Sequence, residues 1–193
     1  NEKKPKIDWT LSVWDLDSIK FIKNFDLPFI KIPSAHLNNI PLLDKLIEID
    51  KPILLSTGMS TLDEIDESIN LLKRKNADFA IMHCNSSYPT PIDELNLSLI
   101  PFLKKRYDCI VGYSGHEYNL EPTIVAITLG AQLVERHITL DHTMWGTDQS
   151  SSLEIDGMDK LYNRAKDIKT MIGKPQKKVT KSEIEIRKKL RGN

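Results

Sequence analysis

Two histidines occupy matching places in the second half of this 193-residue chain. The apolar run Cys109-Ile110-Val111 ends in Gly112-Tyr113-Ser114-Gly115-His116, and the apolar residues 131–134 end in Glu135-Arg136-His137. Between them, residues 120–129 have the composition of a helix. In a strand–helix–strand unit with parallel strands, both strand ends point the same way, so both imidazoles can face one site. Neutral imidazole is a metal ligand, and a neighbouring carboxylate orients it. The residues alone point to a two-histidine divalent-metal site at the carboxyl end of a parallel sheet. The same histidines also suit ordinary structural hydrogen bonding, and the interval between 116 and 137 is not itself a metal signature.

The elements that must carry these residues repeat along the chain. Strand ends are expected near residues 13, 32, 55, 82, 112 and 135, each followed by a helical segment. The helices are predicted from residue 19, over 40–49, from 62 to about 75, over 95–105 with a bend or restart at Pro101, over 120–129, over 158–172 and over 182–190. Thr61 and Glu64 form a capping box before the stripe Leu62, Ile65, Ile69 and Leu72. Six βα repeats fit a parallel barrel or an open doubly wound sheet. No glycine-rich phosphate loop comes after the first strand, which argues against a dinucleotide-binding domain.

Each strand leads instead into a polar cluster: Ser12; Lys31 and Ser34; Ser56 and Thr57; His83, Ser86 and Tyr88; Ser114 and His116; Glu135 and His137. A (β/α)8 barrel builds its active site in this way. Six strands cannot close a barrel of eight, so either the sheet is open or two strands lie outside this sequence. Lys31 sits inside an apolar strand and needs a partner, because an unpaired buried charge is expensive. His83 is expected to orient its strand, and His36 and His142 to be solvated.

Composition narrows the function classes. The 27 basic residues balance 27 acidic ones, which gives no electrostatic case for nucleic acid or an anionic membrane surface. Basic residues thicken between 174 and 191, but Glu183 and Glu185 interrupt them, as on a solvated helix. Two cysteines, Cys84 and Cys109, supply neither a disulfide framework nor zinc spacing and are expected as buried free thiols. No apolar run approaches the roughly 18 residues of a membrane span and no signal peptide is evident, so a cytoplasmic protein is expected.

Six motifs then occur in a fixed order: Lys31-Ile32-Pro33-Ser34, Ser56-Thr57-Gly58-Met59, His83-Cys84 through Tyr88-Pro89-Thr90-Pro91, Gly112-Tyr113-Ser114-Gly115-His116, Glu135-Arg136-His137-Ile138-Thr139 and Gly146-Thr147-Asp148. In this order and spacing the chain resembles the catalytic barrel of the sialic acid synthase family, from Ser12 to about Gly192. The resemblance implies a (β/α)8 TIM-type barrel. It also implies condensation of phosphoenolpyruvate with an N-acetylmannosamine-type sugar, releasing phosphate and giving a nine-carbon keto sugar acid. His116 and His137 match the family's ligands for a divalent metal, usually manganese, with magnesium or cobalt as alternatives. Ser12, Lys31, Ser56 and Ser114 match phosphoenolpyruvate contacts, and Ser34 shares their motif. Ser86, Tyr88 and Asp148 match contacts to the amino sugar, and Glu135 a carboxylate that handles protons. In the family the partner would be a second copy, in a homodimer.

The resemblance also implies differences. The family's first two strands and its antifreeze-like C-terminal domain are expected to be missing, leaving residues 1–175 as a partial barrel and 176–193 as a charged helix leading into a linker. Many members carry an acidic residue where this chain has His36, which bears on the sugar and leaves legionaminic- or pseudaminic-type precursors open. Two other classes remain: a different metal-dependent barrel aldolase or keto-sugar-acid synthase, and a non-catalytic remnant with an exposed barrel edge.

Overall fold

A computed structural model describes residues 7–192. Among these residues five strands form one parallel sheet in sequence order: β1 (Ile30–Ile32), β2 (Ile53–Ser56), β3 (Phe79–Cys84), β4 (Ile110–Gly115) and β5 (Val134–Arg136). Helices α1 (Leu16–Ile22), α2 (Ile40–Ile47), α3 (Leu62–Arg74), α4 (Leu99–Tyr107) and α5 (Glu121–Thr128) precede or connect them, and α6 (Ile155–Ile172) and α7 (Glu183–Arg191) come after. A doubly wound sheet reverses its strand order at a switch point. This one never reverses, which is the winding of a barrel.

The sheet is curled. Lys31 on β1 and Glu135 on β5 sit on its two outermost strands, yet Lys31 Nζ lies 2.7 Å from Glu135 Oε2. Four strand spacings laid flat would separate them by about 19 Å, beyond the reach of both side chains. The convex side carries the core: Ile30, Ile32, Ile53, Leu55, Ile81, Val111 and Tyr113 pack against Ile19, Leu43, Leu46, Ile69, Leu72, Ile100, Leu103 and Ala126 of the helices. The alternate residues of each strand point into the concavity. That concavity holds a 680 Å³ cavity lined by Leu54, Ala80, Met82, Ile110, Leu133 and Val134 below Lys31 and Glu135.

Several elements differ from expectation. The strand expected up to residue 13 is a single parallel bridge between Ser12 and Lys31, with Val13 N–H donating to the Lys31 carbonyl at 3.0 Å. Its apolar alternation is partly spent on solvent: Ile7 is 82% exposed and Trp9 52%, while Val13 is buried in the core and Leu11 packs against it. Residues 1–6, read as loose, and Asn193 lie outside the described residues. The fourth helix begins at Leu99, after a 3-10 turn (Ile92–Glu94) and Asn96 at φ +45°. Pro101 therefore falls in its first turn, where a missing N–H costs nothing, and the restart alternative rather than the bend describes the chain. The last strand ends at Arg136, close to the expected position, and β4 runs on to Gly115, past the expected end near 112, because Ser114 and Gly115 pair with Glu135 and Arg136.

Local signals hold elsewhere. Asp15 caps α1 by accepting from Ser18 N–H at 2.6 Å, and the Thr61–Glu64 capping box opens α3. Cys84 is buried and Cys109 half-buried, both as free thiols, and burial pushes the Cys109 thiol up to about 11. No described helix is long and apolar enough to cross a membrane.

Candidate active site at the carboxyl mouth of the sheet

The carboxyl ends of the strands surround a 610 Å³ cavity. Every residue given a substrate, catalytic or metal role from the sequence lines it: Ser12, Lys31, Ser34, Ser56, Ser86, Tyr88, Ser114, His116, Glu135, His137 and Asp148. Strand alternation explains most of the selection, since those residues lie on the concave face or in the turns beyond it, while Asp148 comes from the long loop after β5. Trp14, Met59 and Cys84 also line this mouth and were not anticipated. Cys84 was legible in principle, because it stands two residues from Met82 on the same face of β3.

The centre of the mouth is charged. Lys31 Nζ donates to both carboxylate oxygens of Glu135, at 2.8 and 2.7 Å, and Ser114 Oγ donates to Oε1 at 2.8 Å. Ser114 and Glu135 are register partners on β4 and β5, which places their side chains together on one face. The partner that Lys31 needs inside its apolar strand is supplied by Glu135. Burial pushes the Glu135 carboxyl up, but the Lys31 charge and the hydrogen bonds from Lys31 and Ser114 outweigh it and hold the group below the usual carboxylate range. Glu135 is therefore an anion at neutral pH.

The two histidines stand beside this pair, their rings 5.2 Å apart at 71°. His116 Nδ1 is 2.7 Å from the Asn85 carbonyl oxygen. A carbonyl only accepts, so Nδ1 carries the proton and Nε2 presents a lone pair, to which Tyr88 OH donates at 3.1 Å. Burial pushes the His116 imidazole below its ordinary value, against the Asn85 carbonyl, and the neighbouring His137 adds to the lowering. His137 is a third exposed, with Nδ1 3.5 Å from Asp148 Oδ2. The Tyr88 ring stands 4.2 Å from His116 and 5.6 Å from His137. Among the described residues, no three His, Cys, Asp or Glu side chains converge closely enough to hold a metal ion alone. The mouth offers a pair of imidazole donors with an anionic carboxylate nearby.

A second group of hydroxyls forms the floor. Ser34 Oγ accepts from Gly58 N–H at 3.0 Å and lies 3.1 Å from Cys84 Sγ. A methyl on Gly58 would stand 2.3 Å from Ser86 Oγ, so this backbone is packed directly under the serines. His83 plays no part here: it points to the convex side, buried, with Nε2 2.8 Å from the Leu95 carbonyl, and burial lowers its imidazole. His142 is exposed as expected. His36 is not simply solvated; it is half-buried, edge-on to Trp14 at 5.3 Å, behind the cavity wall.

Two charged residues also escaped sequence reasoning: Glu117 and Arg136, the chain neighbours of the two histidines. They form a buried ion pair directly behind the mouth, Arg136 Nη1 donating to Glu117 Oε1 at 2.9 Å. The only trace in the sequence is one charge of each sign beside a strand-end histidine.

Comparison with known proteins is specific. The chain is 36% identical over 184 residues to the N,N'-diacetyllegionaminic acid synthase of Campylobacter jejuni, covering 94% of this chain and 55% of that protein. It is 34% identical to the human N-acetylneuraminate-9-phosphate synthase, covering 95% of this chain and 52% of that one. It thus spans about half the length of the curated relatives it matches. A solved N-acetylneuraminic acid synthetase from Leptospira borgpetersenii superposes with a TM-score of 0.83 at 31% identity, over 94% of this chain and 65% of that one. A Thermotoga maritima DAHP synthase superposes at 0.72 with 19% identity, covering 85% of this chain and 51% of that one, a likeness of fold alone. The profile of the NeuB family matches residues 2–177. With that match over most of its length, the chain belongs to the NeuB family.

Proposed function

We propose that this chain is the catalytic half of an enzyme that condenses phosphoenolpyruvate with an N-acetylmannosamine-type sugar to give a nonulosonic acid and phosphate. The single observation that carries the reading is the pairing, within one mouth, of a buried lysine among serine hydroxyls with two imidazoles 5.2 Å apart. The first group suits a phosphorylated enol acid and the second a divalent cation. The relatives named as legionaminic and N-acetylneuraminate-9-phosphate synthases support the sugar class.

In this reading Lys31 and the hydroxyls of Ser12, Ser56 and Ser114 hold the phosphate, and the floor of Ser34 and Ser86 with Tyr88 and Asp148 orients the amino sugar. The phosphate then competes with Glu135 for Lys31. A divalent cation, manganese by family resemblance, fits the donor chemistry: the Nε2 lone pair of His116 and the imidazole of His137 would hold it, leaving other positions for water or substrate oxygens. When bound, it supplies Lewis acidity to the aldehyde oxygen of the open-chain sugar. The methylene carbon of phosphoenolpyruvate attacks the aldehyde carbon, and water adds at the phosphate-bearing carbon. Glu135, ionised at neutral pH, accepts the proton of that water. The tetrahedral adduct then loses phosphate.

The test is phosphate release by the intact protein from phosphoenolpyruvate, with Mn²⁺ and a panel of N-acetylmannosamine, its diacetamido analogues and simple aldoses. Release that requires an acetamido sugar and is abolished by His116→Ala is expected. Release with simple aldoses in preference, or unaffected by His116→Ala, overturns the reading.

A further inference from the structure

His116 and His137 stand just beyond the last residues that β4 and β5 share. The ladder ends at the Gly115–Arg136 pair, so no ladder hydrogen bond fixes the spacing of one imidazole against the other. Each is tied to a different loop: the His116 carbonyl accepts from Thr90 N–H at 3.2 Å, and the His137 carbonyl from Leu153 N–H at 2.8 Å.

Directly behind both lies the Arg136–Glu117 pair, whose side chains are 0% and 3% exposed. The guanidinium also donates to the Glu117 carbonyl, to the Asn119 carbonyl at 3.2 Å and to Thr123 Oγ1 at 3.0 Å. Glu117 accepts further from Tyr113 OH at 2.9 Å and Thr123 Oγ1 at 3.2 Å. The fork of Arg136 thus grips the loop that carries His116, while its own backbone joins Glu135 to His137. Arg136 borders the mouth between Glu135 and His137 while its guanidinium is fully buried against the Glu117 loop, so any shift of its backbone moves both neighbours.

A buried ion pair is a weak source of stability, since desolvating two charges offsets most of their attraction. Arg136 Nε even lacks a hydrogen-bond partner among the described residues. A planar fork on two carbonyls and a carboxylate does supply a single pose. We propose that Arg136 and Glu117 are positioning residues that set the separation of His116 and His137, and with it the affinity of the mouth for a divalent cation. This rests on the reading of the two histidines as a cation site.

The experiment compares the intact protein with Arg136→Met, Arg136→Lys and the double variant Arg136→Met/Glu117→Met. Mn²⁺ affinity is read from the paramagnetic resonance of the free ion, and unfolding is monitored separately in EDTA. Outer partners of metal ligands typically account for about 10–100-fold in affinity. Arg136→Met and the double variant are therefore expected to bind Mn²⁺ at least about tenfold more weakly, with Arg136→Lys between them and the parent. The double variant, with no buried charge left over, is expected to melt near the parent in EDTA. A folded double variant that binds Mn²⁺ as tightly as the parent overturns the proposal, as does a loss of affinity that simply tracks a lowered melting temperature. If the parent itself binds no Mn²⁺, the two-histidine reading fails and the proposal falls with it; the parent control separates that failure from the others.

Discussion

Gly58→Ala is the sharpest probe of the floor of the mouth. A methyl there would stand 2.3 Å from Ser86 Oγ, 2.8 Å from Ser34 Oγ and 2.9 Å from Cys84 Sγ. Against an optimal separation of roughly 3.5 Å, Ser86 must retreat by about 1.2 Å and the other two by about 0.6–0.7 Å. Ser86 can swing its hydroxyl, but Ser34 is held by the Gly58 N–H and Cys84 is buried. Overpacking typically costs about 1–3 kcal/mol, and the mobile serine puts this case near the lower end. A loss of about 1 kcal/mol lowers the melting temperature of a chain of this size by roughly 2–4 °C. The effect on catalysis is expected to be larger, because misplacing substrate contacts by about 1 Å can cost about 10²-fold. Differential scanning calorimetry and kcat/KM for phosphate release measure the two together. Adding Ser86→Ala removes the closest clash and should return part of the stability non-additively, without restoring kcat/KM. A Gly58→Ala protein with parental kcat/KM would refute the assignment of Ser34 and Ser86 to substrate contact, and one with parental melting temperature as well would refute the close packing itself.

The same geometry sets other outcomes. Tyr88→Phe removes the hydroxyl that occupies His116 Nε2; a net hydrogen bond of about 0.5–1.5 kcal/mol predicts Mn²⁺ affinity higher by roughly two- to tenfold, alongside weaker sugar binding, both read by calorimetric titration. His83 and His116 both have imidazoles lowered by burial, so the unfolded chain binds more protons as pH falls through about 6.5. Stability is therefore whole above that value and declines below it, and His83→Gln, which keeps a donor for the Leu95 carbonyl, should make the decline in EDTA shallower. Thr61→Ala breaks the capping box of α3 and should cost about 1 kcal/mol in urea unfolding while leaving phosphate release unchanged.

Local pattern was enough to give the period of the fold and most of the membership of the mouth, although it also gathered His83 and Thr57, which do not line it, and left out Asp148, which came from the family resemblance. Alternation within strands selects which residues share a face, and a recurring βα rhythm puts all strand ends at one end, so Lys31, Ser114, Glu135 and the two histidines could be grouped from the sequence. Capping signals at Asp15 and Thr61 were equally local and equally legible. The curl of the sheet was not, because strand order and closure depend on contacts between residues far apart in the chain. Only that curl brings Lys31 across to Glu135 and gives the lysine inside its apolar strand a partner. What sequence could not show at the end of β5 is why two charged residues stay in the strand: Glu135 and Arg136 each find their partner on another element. The Glu117–Arg136 clamp was invisible for the same cause. A buried charge looks in sequence like a solvated one until folding supplies the opposite charge that makes its burial possible.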